Sequence, residues 1–191
     1  SAVKRQLRTR EIYYINVLDI QGKDVLFRVG CEAGTYIRKL IHDIGQKLGT
    51  GAHMTQLVRT KVGPFNDKNW HTLQDLKDAY EFYKEGNEEE IRKIIMPVEF
   101  AIQHLPKIWV LDTTIDSLCH GADLYSSGIS KLNDQIEKDN IVAILTLKDE
   151  LVCLGNSLTN TDDMLKENKK AVKTTKVFME IGKYPQRIKK E

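Results

Sequence analysis

From Asp24 to Gly30 the chain alternates, DVLFRVG, with Val25, Phe27 and Val29 on one face. That period of two predicts a half-buried strand. Ile12 to Ile20 before it is β-branched and aromatic, which predicts a partner strand, with Gln21-Gly22-Lys23-Asp24 as the hairpin turn. Glu32-Ala33-Gly34 breaks the alternation. Apolar residues then fall at Ile37, Leu40, Ile41, Ile44 and Leu48, the stripe of an amphipathic helix, with Thr35 as its N-cap and Gly49 and Gly51 ending it. Alternation resumes, Leu57, Arg59 and Lys61 facing one way and Val58, Thr60 and Val62 the other. The predicted order is strand, glycine turn, helix, glycine loop, strand.

Asn66 to Trp70 reads as a polar loop, and Thr72 as the cap of a helix bearing Leu73, Leu76, Ala79, Tyr80 and Tyr83. Asp75 at its third position completes a capping box. A short acidic helix follows through Ile91, Ile94 and Ile95, and Pro97 opens Val98 to Leu105. At Pro106 the texture changes to short strands at Ile108–Leu111, Ile141–Leu147, Leu151–Leu154 and Ala171–Met179. A helix is predicted over Thr113 to His120, ended by Gly121, and a turn at Lys148-Asp149-Glu150. Pro106 is therefore the candidate junction between residues 1–106 and 107–185, with 186–191 a basic tail.

The net charge of +2 over 191 residues hides a division. Residues 1–65 carry 11 Lys/Arg against 5 Asp/Glu, residues 66–105 carry 5 against 9, and residues 106–191 are balanced at 13 each. The basic excess suits a polyanionic partner and equally a plain solvated surface. Three cysteines, Cys31, Cys119 and Cys153, stand far apart without a CxxC pair, and the five histidines lack ligand spacing. Neither a zinc site nor a disulfide framework is expected, and a reducing cytoplasm fits. No apolar run approaches the ~18–20 residues of a membrane-spanning helix, and the start lacks a signal-peptide pattern.

Candidate chemistry sits at the joints of the first unit. Tyr36 and Arg38 fall in the first helical turn, off the apolar stripe, where open N–H groups favour an anion. Such a pair can stack a base and hold a phosphate or carboxylate, or can be no more than a solvated helix end. Val3 to Arg10, which leads into the first strand, carries four cations, Lys4, Arg5, Arg8 and Arg10, and no acid. They read either as phosphate contacts or as a soluble terminus.

The strings GTYIRKL, LGTGAHM, LVRT and VGPF, taken together, closely resemble a conserved block of the TruB family of pseudouridine synthases, in its archaeal H/ACA guide-RNA branch, relatives of eukaryotic dyskerin. The resemblance runs from SAVKRQLRTR to the C-terminal region, where HGADLYSSGI and IVAILTLKDELVCLG are similar to the PUA domain. Ser127 stands where the family more often has proline, Gly182-Lys183 replace an arginine-aspartate pair, and Val58 replaces the first arginine of a Leu-Arg-Arg-Thr string. The family's nucleophilic aspartate lies in a Gly-Thr-Leu-Asp-Pro-type segment, and residues 1–191 contain none.

The resemblance implies an α/β (α+β) chain: part of a pseudouridine synthase catalytic domain on a mixed sheet, then a small mixed β-barrel PUA domain. It implies Arg38 as partner of the catalytic aspartate, Tyr36 against the target base and Leu57 as an apolar contact beside it. Arg59, Lys61, Lys4, Arg5, Arg8, Arg10 and the loop His120, Gly121, Ala122 and Asp123 become RNA contacts. Base and phosphates would be held jointly provided the helix start and the second strand converge. No metal or organic cofactor is implied. The implied partners are guide RNA, substrate RNA, other H/ACA ribonucleoprotein proteins and a second fragment carrying the missing half. A stand-alone tRNA enzyme of the same family and a non-catalytic RNA- or protein-binding chain are the alternatives.

Overall fold

The β-branched run Ile12–Gln21 (β1) pairs antiparallel with Asp24–Cys31 (β2), Gln21 opposite Asp24, around the predicted Gly22–Lys23 turn. These elements come from a computed structural model that describes residues 8–166 and 169–185. Lys4, Arg5 and the basic tail 186–191 lie outside the described residues. The chain divides into two compact units, residues 1–59 and 60–191. The candidate junction Pro106 falls inside the second of these.

In the first unit the hairpin is followed by Ile37–Leu48 (α1), which half-buries Ile37, Leu40, Ile41 and Ile44 as its stripe requires and fully buries only Gly45. Gly49 ends the helix in the left-handed region, φ 70°. Its N–H donates to Gln46 O at 3.1 Å and that of Thr50 to Gly45 O at 3.2 Å, a complete Schellman closure. The returning loop crosses so near the helix that a Cβ on Gly45 would lie 2.3 Å from Ala52 N and 2.4 Å from Gly51 C. Gly45 is therefore required by close approach of backbone to backbone.

Two sequence expectations are corrected here. Thr35 is not the N-cap: its hydroxyl donates back to Glu32 O at 2.7 Å, and Tyr36 takes the cap position without a side-chain bond. The strand expected from Leu57 to Val62 shrinks to Lys61–Val62 (β3), paired with Phe65–Asn66 (β4) in the second unit. Alternation alone does not make a strand. Residues 57–60 have no ladder partner, and neither of their faces is buried, Leu57 being 55% and Val58 54% exposed.

The second unit continues through Leu73–Lys84 (α2), Glu89–Ile94 (α3) and Val98–Ala101 (α4). The capping box forms as read, Asp75 N donating to Thr72 Oγ1 at 3.0 Å and Thr72 N to Asp75 Oδ2 at 2.7 Å. Lys107–Val110 (β5), Asp112–Cys119 (α5), Leu124–Tyr125 (β6), Ile129–Leu132 (β7), Ile141–Leu145 (β8), Leu151–Ser157 (β9), Thr161–Met164 (α6) and Lys170–Val177 (β10) complete it.

Six strands form one mixed sheet in the order β6-β10-β9-β8-β5-β7. All neighbours are antiparallel except β5 and β8, whose connection through α5, β6 and β7 is long enough for a parallel crossover. One core, with Ile108, Val110, Ile115, Leu118, Val142, Ile144, Val152 and Val172, packs α5 against the sheet. A second, with Ile102, Ala143, Leu145 and Leu151, seats the segment after α4 on β8 and β9, where Glu99 Oε1 accepts from Leu151 N at 2.9 Å. Both faces of β8 are thus covered, which is why IVAIL reads as a continuous apolar run rather than an alternating one.

Candidate functional site

Tyr36 is the N-cap of α1 and Arg38 lies in its first turn, and both are exposed, Tyr36 to 75%. The turn before them is held from below. Glu32 N donates to Glu11 O at 3.0 Å, Glu32 O accepts from Thr35 N at 3.2 Å, and the Glu32 carboxylate receives Arg10 Nη1 at 3.0 Å and Glu11 N at 3.2 Å. No side chain caps the first turn, which leaves the N–H groups of Ile37 and Arg38 without a capping acceptor. Arg38 and Arg59 form no ion pair among the described residues. Leu57 and Arg59 are exposed on the irregular stretch between the helix and the end of the first unit. Arg8 is exposed, Arg10 is engaged with Glu32, and Lys61 opens β3 in the second unit.

The second cluster lies where α5 meets β10. The helix ends with Gly121 N donating to Leu118 O at 2.9 Å and Ala122 N to Ser117 O at 3.0 Å, which turns His120, Gly121 and Ala122 outward. His120 Nδ1 lies 2.8 Å from Asp116 O. Asp123 fixes the loop: its carboxylate accepts from Lys170 Nζ at 2.8 Å and from Thr174 N at 3.0 Å, while Thr174 Oγ1 donates to Ala122 O at 2.8 Å. The Lys170 ammonium, helped by the Thr174 N–H, holds the Asp123 carboxyl below the usual range. Lys170 also lies 5.9 Å from the centre of the Tyr125 ring, so a cation and an aromatic face border the exposed loop. Lys170, Thr174 and Glu32 were invisible as site residues in the sequence, because their importance comes from partners 21 to 52 positions away.

Cys119 and Cys153 sit in the sheet core as free thiols, and burial pushes Cys153 up to about 12, which removes it from thiolate chemistry. Among the described residues no helix is long and apolar enough to cross a membrane.

Comparison with known proteins decides the family. Residues 38–103 match the tRNA pseudouridylate synthase B C-terminal domain, and residues 106–178 match the PUA domain. A probable tRNA pseudouridine synthase B of Pyrococcus abyssi is 57% identical over 188 residues, covering 97% of this chain and 56% of the relative. That of Methanococcus maripaludis is 54% identical over 192 residues, covering 100% and 58%. The chain belongs to the TruB family. A solved Cbf5-Nop10-Gar1 complex contains a chain that superposes on this TruB-family chain with a TM-score of 0.90 at 55% identity, covering 97% of this chain and 57% of the other. An H/ACA ribonucleoprotein bound to a substrate RNA containing 2'-deoxyuridine gives 0.88 at 53%, covering 97% and 59%. The chain thus spans rather more than half the length of the relatives it matches.

Proposed function

We propose that this chain is the PUA-bearing part of a guide-RNA-directed pseudouridine synthase, with the nucleophilic aspartate supplied by polypeptide outside residues 1–191. The observation that carries the reading is the exposed Tyr36–Arg38 pair on a clamped turn, in a chain 55% identical to its counterpart in a Cbf5-Nop10-Gar1 complex. Two further features support it. The β1–β2 hairpin leaves Ile15, Val17, Ile20 and Val25 between 44% and 63% exposed, an apolar surface that a two-stranded sheet cannot hide by itself. The relatives also carry over 40% of their length beyond the match, ample for the covering layer.

The reaction breaks the C1′–N1 glycosidic bond of uridine, rotates the base, forms C1′–C5, removes the proton from C5 and leaves one on N1, so that the product is an isomer of the substrate. An aspartate acting on the nucleoside must be ionised, and a guanidinium alongside favours that form. Arg38 takes this role, its planar fork also fixing the carboxylate's orientation. Tyr36 lies against the flipped base and assists proton removal at C5. Leu57 contributes apolar contact, and Arg59, Arg8 and Lys61 neutralise phosphates. The His120–Asp123 loop takes a single-stranded RNA end, and proteins of the kind present in the matched complexes complete the assembly.

A chimera joining the N-terminal portion of the Pyrococcus abyssi relative to residues 1–191 tests this by tritium release from C5-labelled RNA, with and without guide RNA and protein partners. Guide-dependent release by the chimera, and none by residues 1–191 alone, is expected. Release without guide from a tRNA substrate would assign the stand-alone reading instead, and no release under any condition would leave a binding chain.

A further inference from the structure

We propose that Arg10 and Glu32 are positioning residues that set the Tyr36–Arg38 turn, Arg10 working inside the protein rather than on an RNA phosphate. The inference rests on the catalytic reading above for its activity readout and on geometry alone for its structural one.

Arg10 stands just before β1 and Glu32 just after β2, at the open end of the hairpin where Ile12 pairs with Cys31. Glu32 uses every polar atom it has. Its two carboxylate oxygens take Arg10 Nη1 and Glu11 N, its N–H goes to Glu11 O, and its carbonyl takes both the N–H and the hydroxyl of Thr35. Tyr36 is the next residue and Arg38 lies two further on.

Gly34 completes the arrangement. It sits at φ +81°, in the left-handed region, and a Cβ there would lie 3.3 Å from Arg10 Nη2 and 3.7 Å from both Cζ and Nε. The Nε–Nη2 edge of the guanidinium thus lies against the space that a side chain on residue 34 would fill. Arg10 therefore clamps the turn twice, by charge at Glu32 and by packing at Gly34.

Four other cations named above differ. Arg8, Arg38, Arg59 and Lys61 are exposed and form no ion pair among the described residues, whereas Arg10 is half-buried and committed. A displacement of about 1 Å at a catalytic group can cost on the order of a hundredfold in rate, so a turn that carries two such groups gains from a fixed base. Lysine cannot substitute fully, because one ammonium cannot hold Glu32 with one nitrogen and place others against Gly34.

The test uses Arg10→Met, Arg10→Lys, the near-isosteric Glu32→Gln and the double variant Arg10→Met/Glu32→Gln. In the chimera, Arg10→Met should lower the single-turnover rate at saturating RNA by roughly tenfold or more, with RNA affinity within about twofold of wild type. The dependence of binding on salt should keep its slope, whereas loss of a phosphate contact would reduce it by about one. Arg10→Lys should recover part of the rate, and the double variant should be no slower than the worse single one. In residues 1–191, amide exchange over Thr35–Lys39 should quicken in Arg10→Met and in Glu32→Gln. If the wild-type chimera shows no turnover, the catalytic reading fails while the exchange data still decide the clamp. Wild-type rate with weakened, less salt-dependent binding would make Arg10 a phosphate contact. Unchanged exchange in both variants would overturn the clamp itself.

Discussion

Replacing Gly45 by alanine separates packing from propensity. In an exposed helix the change gains about 0.5–1 kcal/mol, because glycine loses more backbone freedom on folding. At Gly45 the added methyl would meet Ala52 N at 2.3 Å, Gly51 C at 2.4 Å and Ala52 Cβ at 2.7 Å. Two of these are backbone atoms, which no side-chain rotation can move, so the Gly49–Met54 loop must lift or the helix must shift. Overpacking of this kind costs about 1–3 kcal/mol, and lifting the loop strains the Gly51 N to Gly45 O bond at 3.1 Å as well. A net loss of roughly 1–2 kcal/mol is expected. Gly49→Ala is the control: its Cβ would meet nothing within 4 Å, and only the left-handed φ of 70° costs, about 1–2 kcal/mol. Both variants should therefore shift a urea midpoint measured by circular dichroism, but only Gly45→Ala should also speed amide exchange at Ala52–Met54. A Gly45→Ala protein as stable as wild type, with unchanged exchange in that loop, would refute the close-approach argument.

Thr72→Ala removes one half of the capping box and should cost α2 about 1 kcal/mol, read as a lower thermal midpoint and faster exchange over Leu73–Leu76. Asp123→Asn tests the second cluster through pH. The folded carboxyl titrates below its unfolded value, so its contribution is complete above about pH 5 and disappears as pH falls through the folded value. The variant should be less stable than wild type by roughly 1–2 kcal/mol at pH 7, and the gap should close in acid; a constant gap from pH 7 to pH 2 would contradict the pairing with Lys170. Residues 1–191 should bind a guide RNA with its single-stranded end intact more tightly than one with that end scrambled, and His120→Ala should erase the difference in a fluorescence titration.

How much of this was legible follows from range. The hairpin, the body of α1 with its glycine stop, and the Thr72 box are specified by residues within a few positions of one another, and each formed where the pattern placed it, the α1 cap alone moving from Thr35 to Tyr36. The Leu57–Val62 strand failed because alternation records a tendency that only a pairing neighbour converts into a ladder, and β4 supplies just two residues. Leu124–Tyr125 and Ile129–Leu132 went unread for the opposite reason, being too short to show a period and fixed by β10 and β5 across the sheet. Tyr36 and Arg38 were picked from a motif, and the structure added what a motif cannot contain: the Glu32 network before them and the Arg10 guanidinium against Gly34. Arg10 was read as one of four like cations, yet its nearest charge is an acid 22 positions away.

Under the proposed function, Arg38 would orient and ionise a catalytic aspartate from outside this chain. Arg38→Lys in the chimera keeps the charge and loses the fork. Single-turnover tritium release at saturating enzyme, with parallel RNA-binding titrations, should show a rate lower by on the order of a hundredfold or more, roughly 3 kcal/mol of barrier, at an RNA affinity close to wild type. A wild-type single-turnover rate in Arg38→Lys would contradict the account.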